Sequence, residues 1–333
     1  MTNQEVYQKL AEMVNKEDIV GMPITPAFLK LLSLQFTPEE AGLALHIHLP
    51  GAKLDEIAER SGIDKKKLKA MLYTMADKGT IYIEQGDNPT YKVVGSAAPG
   101  LIETGLWGNI KYPFTIELGK ALYQVLQEWS EQKLCKLGFP FAPVWAGVGT
   151  LPKDALPAEN IAEVLKSAGH WSTSPCPCRL SHWLVEPGNH CEHILETCIH
   201  TGDLSRWAVE HGMAKELTYD ELVDLLRRCN ADGLVSTLNI NNCVCNCCTD
   251  CCAIFHGQKT GVKIFVPSPF VAQVDEAKCS ACGDCAERCP AGAITVEDVA
   301  SINAEACLGC GVCVPSCATK AIALKRRQPL QQK

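Results

Sequence analysis

The sequence contains neither Gly-x-Gly-x-x-Gly nor Gly-x4-Gly-Lys-Ser/Thr. These are the backbone cradles that dinucleotides and nucleoside triphosphates require, so nucleotide and flavin binding have no support. No Cys-x-x-Cys-His string exists, which excludes covalently attached haem, and no Ser/His/Asp arrangement can be defended from sequence alone. No stretch approaches the roughly 20 apolar residues of a membrane helix. The start, Met1-Thr-Asn-Gln-Glu-Val-Tyr-Gln-Lys-Leu10, lacks a basic segment followed by an apolar run. The expectation is a cytoplasmic protein without a membrane partner. Positive charge is also short, with 31 Lys and Arg against 38 Asp and Glu, a net −7. That balance argues against a surface that coats nucleic acid generally, although it leaves room for a local basic patch.

Cysteine, by contrast, is abundant, at 20 of 333 residues. Without an export signal, so many thiols point to metal ligation in a reducing compartment rather than to disulfides. Eight of them read Cys279-x2-Cys282-x2-Cys285-x3-Cys289-Pro290 and, 28 residues further on, Cys307-x2-Cys310-x2-Cys313-x3-Cys317. A tight loop offering three thiolates at three-residue intervals can wrap one iron–sulfur cube and grip three of its irons. The fourth ligand must come from elsewhere. Cys289-Pro-Ala-Gly-Ala-Ile294 also lines up with Cys317-Ala-Thr-Lys-Ala-Ile322 at the same offset, an internal repeat that departs at Ala318. Gly283, Gly309 and Gly311 leave backbone N–H groups free to approach the sulfurs. The alternative is a pair of all-cysteine zinc sites, which favour two separated Cys-x2-Cys knuckles.

Over about residues 268 to 325 this pattern resembles bacterial two-cluster ferredoxins. The resemblance implies two [4Fe–4S] clusters in which the last cysteine of each run ligates the opposite cluster. One cluster would then take Cys279, Cys282, Cys285 and Cys317, the other Cys307, Cys310, Cys313 and Cys289.

Residues 37 to 95 carry a different pattern. Leu54-Asp-Glu-Ile57-Ala58 opens a short helix, Ser61-Gly62 turns, and Asp64 caps a second helix to about Asp77, with Leu68, Met71, Leu72 and Met75 on its apolar face. Gly79 ends it, and Thr80–Ile83 with Tyr91–Val94 read as strands around Gly86-Asp87-Asn88-Pro89. This order resembles a winged helix. Lys65, Lys66, Lys67 and Lys69 could meet phosphates, yet residues 37 to 95 hold eight Lys/Arg against nine Asp/Glu, and the helix has no Arg, Asn or Gln to read bases. Residues 113 to 135 predict an amphipathic helix with Ile116, Leu122, Val125, Leu126 and Trp129 inside. A Pro-rich connector follows from Phe139 to Pro157. Cys135 reads as a buried small hydrophobe.

Between residues 170 and 256 lie eleven of the 20 cysteines and seven of the nine histidines. Cys176 and Cys178 sit in Cys-Pro-Cys-Arg; Cys191 and Cys198, seven apart, share a face if that segment is helical. A helix capped by Thr218 and Glu221 buries Leu222, Leu225, Leu226 and Cys229. The strand Leu234–Ile240 then leads to Cys243, Cys245, Cys247, Cys248, Cys251 and Cys252. If extended, Cys243, Cys245 and Cys247 share a face; if a helical turn follows, Cys247 pairs with Cys251 and Cys248 with Cys252. Not all six can reach one small cluster. At least one further metal site is expected from Cys176, Cys178, Cys191, Cys198 and the Cys243 to Cys252 run, preferably a third iron–sulfur cluster, with zinc as the alternative. His190, His193 and His200 are secondary candidates. The Cys-Pro-Cys-Arg string, the Cys-Asn-Cys-Cys-x2-Cys-Cys run and the ferredoxin end together resemble a family of cysteine-rich 4Fe–4S binding proteins of anaerobes, over residues 159 to 325.

The fold expectation is α+β and multidomain: an N-terminal helical segment (1–36), a winged helix (37–98), a helix and connector (99–158), a mostly helical cysteine-rich module (159–262), a ferredoxin-like two-cluster domain (263–326) and a tail (327–333). The function expectation is an electron-transfer protein relaying low-potential electrons to or from a partner oxidoreductase or soluble carrier. Two alternatives stand beside it: a redox-sensing winged-helix regulator that binds DNA, and a reductive enzyme or activator whose middle cluster touches substrate. Replacing Cys282 or Cys310 with Ser is expected to abolish or distort one cluster, read out as iron content and EPR; unchanged values in both variants would refute the cluster reading.

Overall fold

The computed structural model describes residues 2–16, 22–47, 50–95, 100–109, 111–131, 140–186, 188, 191–238, 242–259, 261 and 263–327. Helices Asn3–Lys16 and Pro26–Gln35 each bury an apolar face and lead into helices Pro38–Ala44, Leu54–Ser61 and Lys65–Asp77. Local chemistry sets their ends. Thr37 and Glu40 form a capping box, Gly62 closes its helix in the left-handed region at φ 67°, and Asp64 accepts from the N–H groups of Lys66 and Lys67 at 2.9 and 3.2 Å. Strands Ile81–Glu84 and Thr90–Val93 pair antiparallel, with Ala52–Lys53 along the free side of the latter. Alternation turns Ile81, Ile83, Tyr91 and Val93 inward, and they are buried, as are Leu68, Leu72 and Met75.

Helix Ile116–Glu131 follows. Leu122, Val125, Leu126 and Trp129 are buried, but Ile116, expected with them, is 59% exposed. Ile116 is the first helical residue after Thr115, whose hydroxyl accepts from the Leu118 N–H at 3.1 Å. Helical side chains lean toward the N-terminus, so this one projects beyond the packed turns. Cys135 and the expected last turn lie outside the described residues.

The cysteine-rich module is not the mostly helical unit expected. Its frame is a five-stranded antiparallel sheet in the order Lys215–Leu217, Trp171–Pro175, Glu196–Thr201, Cys243–Cys247, Val235–Leu238. Thr173, Thr197, Ile199, Thr201, Val235, Thr237 and Val244 supply the β-branched content that a pleated, buried surface favours. Helices Pro177–Val185, Gly202–Glu210 and Tyr219–Ala231 complete the module. Cys198 therefore sits in a strand and Cys191 in the loop before it, so the two share no helix face. Cys229 packs in a core with Leu222, Leu225 and Leu226, and burial pushes its thiol up to about 12.

The last part holds two antiparallel strand pairs, Phe270–Val274 with Ile322–Arg326 and Ile294–Val296 with Ala300–Ile302. The stretch expected to be a connector does structural work between this part and the sheet module. Ala142–Pro143 pairs in parallel with Phe265–Val266, Val144 bridges to Thr237, and Trp145 donates its N–H to the Ser236 carbonyl at 3.0 Å.

The N-terminal part is docked on the other side of the sheet module. Trp107 lies against His200 with ring centroids 4.1 Å apart, and Tyr82 meets Trp207 edge-on at 5.4 Å. Asp77 pairs with His211 Nδ1 at 2.7 Å and with Lys111 at 3.0 Å. Burial raises the Asp77 pKa, but the bonds from His211 and Lys111 outweigh it and hold the carboxyl below its usual 3.8. A depressed carboxylate adds stability above its unfolded value and loses it as pH falls through the folded one. Asp77→Asn is therefore expected to cost roughly 1–3 kcal/mol in denaturant unfolding at neutral pH. The gap to wild type should close as pH drops below the unfolded value; a gap constant with pH would refute the pairing.

Candidate metal centres

Two small cavities in the C-terminal part are each lined by four cysteines. Cys279, Cys282, Cys285 and Cys317 line one. Cys289, Cys307, Cys310 and Cys313 line the other. Each set takes three thiols from one run and the last cysteine of the opposite run. Backbone N–H groups point at the sulfurs: Ala300 at Cys279 (3.4 Å), Ala293 at Cys289 (3.3 Å), Gly309 at Cys307 (3.4 Å) and Ala321 at Cys317 (3.2 Å). Such donors stabilise negative charge on sulfur. The donor set thus fits an anionic iron–sulfur cube held by four thiolates.

The repeat extends to the backbone. Ala281 and Gly309 both take left-handed φ, 53° and 66°, as do Gly283 and Gly311 at 90° and 76°, and Gly292 and Lys320 at 58° and 54°. Each pair lies at the 28-residue offset. Loop shape is therefore imposed even where the residue disfavours it, at a cost of order 1 kcal/mol for Ala281 and for Lys320. At Gly309 the reason for glycine is visible, since a Cβ would lie 2.1 Å from the Phe270 carbonyl oxygen.

A third cavity, of about 90 Å³, lies in the sheet module and is several times larger than either ferredoxin cavity, each of about 20 Å³. Eight cysteines line it, seven of which converge from four elements while Cys248 stands beside them. Cys176 and Cys178 open helix Pro177–Val185, Cys198 comes from a central strand, Cys243, Cys245 and Cys247 from one face of the neighbouring strand, and Cys252 from just before helix Ala253–Lys259. The remaining wall is largely apolar, including Leu126, Trp129, Phe141 and Ala253. Cys198 and Cys243 approach to 3.7 Å between sulfurs.

The pairing expected from a helical turn at residues 248–252 does not occur. Residues 249–251 form a turn and the helix begins only at Ala253. Cys247 instead bonds Cys252, facing the cavity, and Cys248 bonds Cys251 and Cys191 on the other side. The sulfurs of Cys191, Cys248 and Cys251 all lie within 4.8 Å of one another, with 3.5 Å between Cys251 and Cys191.

Arg179 lies between these two groups of thiols, and sequence reasoning overlooked it. Its side chain is fully buried. It donates to the Asn246 carbonyl at 3.1 Å and to the Thr197 hydroxyl. Among the described residues no carboxylate pairs with it; burial opposes its charge, and the thiols of Cys176, Cys248 and Cys191 outweigh that. Reciprocally, hydrogen bonds from Cys191 and Cys251, then Arg179, hold the Cys248 thiol well below its usual range. Bonds from Cys178 and Cys247 pull Cys252 down to about 6. Their neighbours move up: Cys191 to about 11 through its bond to Cys248, Cys243 through bonds to Cys198 and Cys245 and through burial, and Cys247 through bonds to Cys245 and Cys252 and through burial. Crowded thiols without a cation ionise one at a time. A bound metal core would take all of them as thiolates.

The histidines contribute less. His200 is buried between the hydroxyls of Ser172 (3.3 Å) and Ser174 (3.2 Å), and burial drives its pKa down to about 3, so both ring nitrogens already have partners. His193 pairs with Asp232 at 3.1 Å. His190 lies outside the described residues. The clue to Arg179 was its place in Cys-Pro-Cys-Arg, a lone cation inside a ligand string. Arg179→Met is expected to lower unfolding stability by roughly 3–5 kcal/mol, the usual effect of leaving buried anions uncompensated. A variant as stable as wild type would show that the thiols here are neutral.

Residues 278–322 match the family model described as a 4Fe-4S dicluster domain. No curated protein and no solved structure matches the chain. The C-terminal part is accordingly a ferredoxin-type domain with the ligands for iron–sulfur clusters, and no helix among the described residues is long and apolar enough to cross a membrane.

Proposed function

We propose that this chain relays low-potential electrons between a partner oxidoreductase or soluble carrier and an iron–sulfur centre in the sheet-module cavity, by way of two [4Fe–4S] clusters in the ferredoxin-type domain. One observation carries the reading: Cys247 and Cys252 of the cavity and Cys310 of the nearer ferredoxin site belong to the same buried apolar cluster, with Val235, Phe255 and Val312. Exposure is greatest at the outer end of the path, although Cys285 there is buried and Cys289, Cys176, Cys178 and Cys245 further in are half-buried. Cys282 in the outer site is exposed, Cys307, Cys310 and Cys313 in the inner site are buried, and so are Cys198, Cys243, Cys247 and Cys252 in the cavity. An electron would enter or leave at the Cys282 end, pass the inner site, and reach the cavity.

The N-terminal elements are compatible with a winged helix, whose order of three helices and three short strands they share. The regulator reading gains little from them. Lys65 is paired with Asp55 at 2.9 Å and Lys67 with Glu39 at 3.2 Å, so half of the four lysines that might meet phosphates already face acids. A reductive reaction in the cavity has one observation in its favour: eight cysteines line it, twice the four thiolates that one cube takes. Both protein–protein docking and cavity chemistry would use the same relay.

Anaerobic purification with iron and sulfide counting tests the proposal. About twelve or sixteen irons per chain are expected, whereas about eight would leave the cavity without a cluster. In an EPR redox titration, Cys310→Ser should remove the inner signal and slow reduction of the cavity centre by an external donor. Equal reduction rates in wild type and variant would overturn the proposed order of sites.

A further inference from the structure

The thiols of Cys191, Cys248 and Cys251 form a group whose geometry differs from every other cysteine set in the chain. A tetrahedral ion with metal–sulfur bonds of about 2.3 Å holds its thiolates about 3.8 Å apart. These three sulfurs lie within 4.8 Å of one another, two of them at 3.5 Å. The ferredoxin loops supply an internal control. All eight of their cysteines are described, and no three of those sulfurs come within that distance of one another. A cube spreads its thiolates, whereas this group is drawn together. The similar group of Cys198, Cys243 and His200 offers only two thiols, and its imidazole is engaged by Ser172 and Ser174.

We propose that Cys191, Cys248 and Cys251 bind a single zinc ion, separate from the iron–sulfur chemistry of the cavity, with water in the fourth position. Three separate backbone positions supply the ligands: the loop before strand Glu196–Thr201, the residue following strand Cys243–Cys247, and the turn before helix Ala253–Lys259. Charge supports the assignment. Three thiolates and a dication leave one negative charge, and the Arg179 guanidinium lies within reach of both Cys191 and Cys248 to balance it. Thiolate ligands and a tetrahedral arrangement favour zinc over harder cations. Cys191 is half-buried, which leaves water access to the fourth position. Because Cys248 also lines the cavity, the ion would fix one of its walls.

The test is elemental analysis of the full chain, purified anaerobically from medium containing both iron and zinc. One zinc per chain is expected beside the iron. Cys251→Ser and Cys191→Ser should lose at least nine-tenths of the zinc while iron and acid-labile sulfide stay at wild-type levels. Cobalt titrated into zinc-stripped wild type should give one equivalent of thiolate-to-cobalt charge-transfer absorption. That readout does not depend on any variant folding. Loss of about four irons with their sulfide in Cys251→Ser would overturn the proposal and place these thiols on a cluster; so would zinc retained in both variants, or no cobalt band. Eight irons with one zinc would remove the proposed cavity cluster and leave the zinc site standing.

Discussion

A guanidinium that no carboxylate pairs among the described residues organises the centre of this protein. A buried cation without a counter-charge is costly, and Arg179 meets sulfur on two sides. It is held in place by the Asn246 carbonyl and the Thr197 hydroxyl. Asn246 is fixed in turn, donating to the Thr197 carbonyl at 2.8 Å and accepting from the Ser236 hydroxyl at 2.7 Å. A short polar network thus ties three adjacent strands to one charge. Together with the bonds from Cys191 and Cys251, that charge favours thiolate at Cys248 before any metal arrives.

Three thiol environments follow from this arrangement, and they differ in what they can exchange with the outside. The loop at Cys282 meets solvent. The inner ferredoxin loop is enclosed by the sheet module, and the cavity is enclosed by both the sheet and the N-terminal helices, since Met22, Leu126 and Trp129 stand on its wall. The N-terminal part is therefore a cover for the cavity as well as whatever surface it presents outward.

The ferredoxin-type end was legible because its ligands are set by covalent spacing: three-residue intervals shape the loop regardless of what surrounds it. The helices Leu54–Ser61 and Lys65–Asp77 were legible for a similar reason, through Gly62 and Asp64, whose capping acts within one turn. The cavity was not. Its thiols converge from helix, strand and turn through long-range pairing, and alternation within Cys243–Cys247 was the only part that sequence period could place. The misjudged pairings at residues 247–252 turn on three residues that make a turn instead of a helix. The strand pairing within the connector left no local sign, because its partner, Phe265–Val266, lies more than a hundred residues away. Arg179 was passed over because a basic residue in isolation reads as surface.

The clamp on the inner loop has a kinetic meaning. The Cys310 carbonyl accepts from the Gly147 N–H at 3.0 Å and from Asn230 Nδ2 at 3.2 Å, and Arg288 reaches across to the Asn230 carbonyl at 3.1 Å. Gly147 could not carry even a methyl group, because its Cβ would lie 2.2 Å from the Asn230 side chain. These contacts fix the inner loop against the sheet module as the chain folds. In the proposed relay the spacing between inner loop and cavity is then part of the fold, and control falls to the exposed end, where a partner would dock or leave.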